Sequence, residues 1–145
     1  MVPTLFGRLQ TRLVLLAVVG GLLTAGLAPV LPVAAPLADR YRAGYIVLAA
    51  VALLGLGWEL IYQLLMQWRW EKDWPTLFGL LTLAPEGAAV WWLNRAGALP
   101  GLPTPIPLAA FVIDFVAIWL AVWLTANGPL RVPCLRWRFH GGRFL

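Results

Sequence analysis

The segment Tyr45–Trp68, YIVLAAVALLGLGWELIYQLLMQW, decides the fold because it contains one charged side chain, Glu59. A helix needs about 20 mainly apolar residues to cross the hydrocarbon core of a lipid bilayer. This segment is long enough and apolar enough to do so. The sequence therefore predicts a transmembrane helix over 45–68.

Three further apolar segments flank this helix, at about 9–28, 74–94 and 105–125. Asp73 is a favourable N-cap for the third segment, and Asn127-Gly128-Pro129 is a typical helix stop after the fourth. These segments predict an all-α membrane protein with four transmembrane helices in a compact bundle. We expect residues 1–145 to form a single integral membrane domain with a basic cytoplasmic tail at 129–145.

The first apolar segment also resembles a signal peptide, because a basic start precedes an apolar stretch and several alanines. A signal peptide has an apolar core of about 7–15 residues, and this stretch is longer. Three more apolar segments follow it. We therefore favour a retained transmembrane helix over a cleaved signal.

The composition excludes most soluble enzymes and most disordered proteins. Of the 145 residues, 61% are hydrophobic and 12% are charged, whereas soluble domains carry about 25% charged residues. The mean hydropathy is +0.81. The single cysteine, Cys134, excludes an internal disulfide framework.

The distribution of positive charge predicts the topology. Four spans place both termini on one side, and positively charged residues are enriched in cytoplasmic segments. With a cytoplasmic N-terminus, the inner set is Arg8, Arg12, Arg69, Lys72, Arg131, Arg136, Arg138 and Arg143, and the outer set is Arg40, Arg42 and Arg95. This distribution predicts an N-in, C-in protein of a cell membrane, with a bacterial inner membrane favoured.

The net charge of +5 is spread over short segments beside the predicted spans. Anionic lipid headgroups are therefore the expected partner, rather than nucleic acid. The candidate lipid or protein contacts are Arg69, Trp70, Lys72, Arg136, Trp137 and Arg138. For the loop that contains the first three, the alternative is a tight hairpin whose charges neutralise one another, for example Arg69 with Asp73.

The most informative residues are three acids, each the only charge well inside its predicted span: Glu59, Glu86 and Asp114. A charge near the bilayer centre costs at least about 2.5–3.5 kcal/mol on insertion scales. At about 1.5 Å per residue, the three acids lie at similar depths. They share helix faces with small or polar residues, so the candidate intramembrane site is Glu59, Glu86, Asp114, Tyr62, Gln63 and Thr82.

The sequence leaves three explanations for these acids open. We assign Arg8 and Arg12 to the membrane entry, where long basic side chains reach the interface, so no basic partner remains inside the chain. The acids are then neutral hydrogen-bonded carboxyls, a cation or proton pathway, or partners of a positive group on another subunit.

Pro85, beside Glu86, predicts an irregularity in the third span. A proline within a helix removes one backbone hydrogen bond and frees the carbonyl group four residues earlier. Alternatively, Pro85-Glu86 begins a separate half-helix, since both residues are favourable in a first turn. We favour a kinked, continuous helix.

No motif of nucleophilic, phosphate-binding or metal-dependent catalysis occurs in the sequence. We therefore expect no cofactor, no metal and no enzymatic activity. The sequence favours a small polytopic protein that is a non-enzymatic subunit or accessory factor of a membrane complex. The expected protein partner is another membrane protein or a second copy of the same chain. The alternative is a proton- or cation-coupled transporter or channel that uses the three carboxylates.

Overall fold

The computed structural model describes residues 4–68 and 76–144, and these residues form helices and connecting loops without a strand. Three helices are long and apolar enough to cross a membrane: Leu5–Leu27, Leu37–Gln67 and Leu108–Arg131. The all-helical class and the membrane character that the sequence predicts are confirmed to this extent. The count of four spans and the N-in, C-in topology stay predictions.

The first helix consists of α1 (Leu5–Leu15), a wider π-helical turn (Leu16–Gly20) and α2 (Gly21–Leu27). It begins four residues before the predicted start because Thr4 caps it, and its side-chain oxygen accepts a hydrogen bond from the Gly7 N–H at 3.1 Å. Arg8 and Arg12 therefore lie within the helix.

The π turn shifts the buried face of the first helix by one residue. In α1 the buried residues are Gly7 and Leu15, and after the shift they are Leu16, Gly20, Thr24 and Ala28. Each set follows the spacing of one helical face, and the two sets are offset by one position. Gly20, Thr24 and Ala28 thus lie on the buried face of the second half of this helix.

The second long helix, α3 (Leu37–Gln67), begins eight residues before the predicted boundary, directly after Pro36. Its 31 residues span about 46 Å at 1.5 Å per residue. This length exceeds the hydrocarbon thickness of about 30 Å. The hydropathy pattern therefore located the part of the helix that suits the membrane, whereas the helix itself also includes Asp39, Arg40 and Arg42.

The described part of the third predicted span consists of two shorter helices, α4 (Thr76–Leu81) and α5 (Leu83–Arg95), which Thr82 separates. The backbone of Thr82 keeps a right-handed helical conformation. Its N–H donates to the carbonyl of Phe78 at 3.0 Å, and its carbonyl accepts from Glu86 N–H at 3.2 Å. The interruption falls beside Leu81, whose carbonyl loses its partner because Pro85 has no N–H.

The fourth helix, α6 (Leu108–Asn127), matches the predicted span closely. Its start is held by Asn94 at the end of α5. The amide of Asn94 donates to the Ile106 carbonyl at 3.0 Å and accepts from the Ile106 N–H at 2.9 Å. These two bonds join α5 to α6 across the loop, and Asn94 itself is 1% exposed.

The helices pack as neighbours around a common interior. The first helix contacts α3 and α6, and α5 also contacts α3 and α6. Polar side chains are buried inside, whereas large apolar side chains point outward, for example Leu22 at 72% and Leu53 at 70% exposure. An apolar exterior around buried charges is the arrangement expected of a protein surrounded by lipid.

The C-terminal segment packs against the first helix and contains a 3₁₀ turn (Pro129–Arg131) and α7 (Leu135–Phe139). The Trp137 indole N–H donates to Thr11 Oγ1 at 2.7 Å. Thr11 Oγ1 donates to the Gly142 carbonyl at 2.9 Å, and Thr4 N–H donates to the Gly141 carbonyl at 3.0 Å. Gly141 and Gly142 have φ values of 64° and 85°, which favour glycine.

These contacts correct one expectation about the tail. Trp137, expected at a lipid or partner surface, is buried at 7% exposure against α1. Arg136 and Arg138 are exposed, as a lipid contact requires. The other three predicted contacts, Arg69, Trp70 and Lys72, lie outside the described residues.

Gly7→Ala is expected to release the docked tail from α1. A methyl group at this position would overlap the carbonyl oxygen of Gly141. Overpacking of this kind costs about 1–3 kcal/mol, which corresponds to roughly five- to 150-fold more undocked tail. Trypsin cleavage at the tail arginines of the detergent-purified protein measures this population. Gly26→Ala is the matched control, since nothing lies within 4 Å of a Cβ atom there. Equal cleavage rates in both variants would contradict the docking.

Candidate functional site

Two of the three predicted acids meet at Arg12. Its Nη1 donates to Glu59 Oε1 at 3.1 Å and to Glu86 Oε1 at 3.2 Å, and its Nη2 pairs with Glu86 Oε2. One planar guanidinium thus joins α1, α3 and α5 through a fork that is complementary to carboxylates.

Arg8 completes this cluster at its Glu59 end. The Nε of Arg8 donates to Glu59 Oε2 at 2.6 Å. The Tyr62 hydroxyl donates to Glu86 Oε1 at 3.0 Å. We name Arg8, Arg12, Glu59, Tyr62 and Glu86 the charge cluster.

The charge cluster corrects the expectation that the acids have no basic partner inside the chain. That expectation placed Arg8 and Arg12 at the membrane entry, but α1 begins at Leu5 and carries both side chains into the bundle. Arg12 lies about 12 Å along the axis from the cap at Thr4. The helical spacing of Thr4, Gly7, Arg8, Thr11 and Arg12 is the sequence signal that could have placed both arginines on the inner face.

The backbone of α3 makes room for Arg12 at Gly55. A Cβ atom on Gly55 would overlap Nε and Cζ of the Arg12 guanidinium. On another side, the guanidinium carbon lies 5.6 Å from the ring centre of Trp119 on α6, within the range of a cation–π contact. Arg12 therefore contacts α3, α5 and α6.

Asp114 lies apart from the charge cluster. It is 3% exposed, and its Oδ1 atom has no hydrogen-bond partner among the described residues. The three ion pairs in the described part of the chain all belong to Glu59 and Glu86. Of the three acids that the sequence places at similar depths, the structure therefore brings Glu59 and Glu86 together at Arg12.

The two remaining predicted members differ in their positions. Thr82 lines the same cavity as the charge cluster, and its hydroxyl donates to the Gly79 carbonyl at 2.9 Å. Gln63 is half-buried on α3, and its Oε1 atom has no hydrogen-bond partner among the described residues. Gln63 is absent from the lining of that cavity.

A cavity of about 290 Å³ connects the charge cluster with Asp114. At one end it is lined by Asn127, Arg131, Trp137 and Gly142, where the tail docks. Its walls are formed mainly by apolar and aromatic side chains from three helices: Leu15, Leu16, Val47, Val51, Phe115 and Trp119.

A second, much smaller void of about 10 Å³ lies on another side of Asp114. Its lining includes Arg40, Ala43, Ile106 and Ala110, toward the opposite end of the bundle. Its volume is close to the minimum for one water molecule, about 10–15 Å³. Asp114 and Val47 line both spaces, so Asp114 lies between the large cavity and the small void.

Within the part of the chain that the structure describes, no group of three or more His, Cys, Asp or Glu residues is placed to hold a metal ion. The chain matches no family model, no curated protein and no solved structure. The function proposed below therefore depends on the geometry of the cavity and its lining residues.

Proposed function

We propose that the protein is a non-enzymatic membrane transport protein in which Asp114 holds a proton or another cation during its passage. The observation that carries this proposal is the position of Asp114 between a large cavity and a small void, as a buried carboxylate whose Oδ1 atom has no hydrogen-bond partner among the described residues. Ionisable residues inside membrane proteins commonly mark ion or proton pathways.

The charge cluster has a different role in this proposal. Glu59 and Glu86 are balanced by Arg8 and Arg12, so their charges are compensated without an external cation. Such a network holds three helices in register and forms one wall of the cavity. The transporter hypothesis from the sequence assigned the cation or proton pathway to Glu59, Glu86 and Asp114, whereas this proposal assigns it to Asp114 alone.

The accessory-subunit interpretation from the sequence stays a prediction. One argument for it was that the acids needed a positive group from another chain. Arg8 and Arg12 supply that charge to Glu59 and Glu86 from the first helix of the same chain, which removes this argument for those two acids. Purification in mild detergent tests the interpretation, because a stoichiometric second protein is expected only if the chain is a subunit.

Asp114→Asn is expected to reduce proton flux at least about tenfold in reconstituted liposomes. The substitution keeps the shape of the side chain and removes its titratable charge. Flux is measured with a pH-sensitive dye inside the vesicles under an imposed membrane potential. Asp39→Asn is the matched control, since Asp39 is exposed in the first turn of α3 and is expected to leave flux unchanged.

Two results would overturn the transport proposal for protons. One is a wild-type flux equal to that of protein-free liposomes, and the other is an undiminished flux in Asp114→Asn. If the same vesicles show Asp114-dependent uptake of a larger cation without proton flux, the cation form of the proposal is supported instead.

A further inference from the structure

The cavity carries one uncompensated acid in an aromatic and apolar environment. Among the described residues, Arg8 and Arg12 pair with Glu59 and Glu86, whereas Asp114 takes part in no ion pair. An unpaired carboxylate in an apolar site is costly. A ligand with one positive charge would remove that cost.

The walls of the cavity favour an organic cation over an inorganic one. Divalent metal ions require several oxygen ligands, and no metal-binding group occurs in the described ranges. Instead, the rings of Phe115, Trp119, Trp123 and Trp137 line the cavity. Aromatic faces attract ammonium groups and also accept apolar substituents.

The size of the cavity sets a limit on this ligand. Pockets for drug-sized molecules range from about 300 to 1,000 Å³, and this cavity of about 290 Å³ lies at the lower end. A molecule with one aromatic ring and one small ammonium group fits this range better than a large multi-ring compound.

From these observations we infer that the cavity binds a small organic monocation, with its ammonium group at Asp114 and its apolar part against the aromatic wall. The inference rests on the proposed transport function, whose solute it specifies. The charge cluster then has a second role. Its arginines neutralise Glu59 and Glu86, which would otherwise compete with Asp114 for the cation.

The test is an equilibrium titration of the detergent-purified protein with two probes of similar shape. Phenyltrimethylammonium carries one positive charge, and tert-butylbenzene has a neutral carbon in place of the nitrogen. Calorimetry is expected to show saturable binding of the cation to the wild type. The neutral probe is expected to bind at least about tenfold more weakly.

Asp114→Asn is expected to weaken binding of phenyltrimethylammonium at least about tenfold, whereas Asp39→Asn leaves it unchanged. The same titration with the Asp114→Asn protein also measures how much of the probe partitions into the detergent micelles. The comparison of the two probes on the wild type does not depend on how well any variant folds. A third probe, the anion benzenesulfonate, tests whether the positive charge of the arginines makes the cavity prefer an anion to a cation.

Equal binding of the charged and neutral probes would overturn the inference, and so would undiminished cation binding by a folded Asp114→Asn protein. Tighter binding of benzenesulfonate than of the cation would do the same. Proton flux without binding of the organic cation would refute only this inference. Saturable binding without any flux would refute only the transport function.

Discussion

Arg12→Met is expected to lower the stability of the protein by about 3–5 kcal/mol, the loss that follows when one partner of a buried ion pair is removed. The guanidinium joins Glu59 and Glu86, and the Glu86 side chain is 2% exposed. Methionine retains much of the volume but leaves Glu86 with Tyr62 as its described hydrogen-bond donor. The measurement is the thermal unfolding midpoint in detergent, followed by tryptophan fluorescence.

A double substitution separates the electrostatic effect from lost packing. In Arg12→Met with Glu86→Gln, the uncompensated charge is absent, so the double variant is expected to be more stable than Arg12→Met alone. Arg136→Gln is the control for loss of a positive charge at an exposed position. An unchanged midpoint in Arg12→Met, or no recovery in the double variant, would contradict the role of the charge cluster.

Gly55→Ala is expected to give the second-largest loss of stability. Its methyl group would occupy the position of the Arg12 guanidinium. The expected cost is about 1–3 kcal/mol for overpacking, together with part of the loss described for Arg12→Met. Both costs have the same origin, because the added carbon displaces the charged group from its carboxylates.

Gly57→Ala provides a close control, since Gly57 lies in the same helix and nothing is within 4 Å of a Cβ atom there. It is expected to leave the midpoint unchanged or to raise it, because alanine favours helix over glycine by about 1 kcal/mol. Equal midpoints for Gly55→Ala and Gly57→Ala would show that the guanidinium does not need the space beside Gly55.

The sequence predicts the apolar segments well because hydropathy reports directly which residues tolerate lipid. It places the α6 span within a few residues and identifies Asp114 as its only charge. It misses the first eight residues of α3 because a helix continues beyond the hydrocarbon core when its backbone bonds are satisfied. Hydropathy does not predict where that part of a helix begins.

The charge cluster was missed because an arginine near the end of an apolar segment is ambiguous. Its side chain is long enough to reach the interface or to turn inward, and the choice depends on what lies opposite. Here Gly55 leaves the space and the two glutamates supply the charge. The helical spacing of the polar and small residues around Arg8 and Arg12 can place both arginines on an inner face, but it does not show which groups lie opposite that face.

The docked tail illustrates the same limit. Gly141 and Gly142 suggest a flexible end when the sequence is considered alone. In the structure they adopt positive φ values and approach Gly7, more than a hundred residues earlier in the chain. Pairing between such distant glycines has no signature in composition or periodicity, so it could not be predicted.

The π turn at Leu16–Gly20 accommodates one residue more than a regular α-helix would contain between the two halves of the first helix. Successive α-helical residues are rotated by about 100°. If these residues adopted regular α-helical geometry without a change in their number, α1 would be rotated by that angle relative to α2. Thr24 and Ala28 could then keep their contacts only if Arg8 and Arg12 left the interior. The wider turn thus lets the half with the two arginines and the close-packed half of one helix face the same bundle.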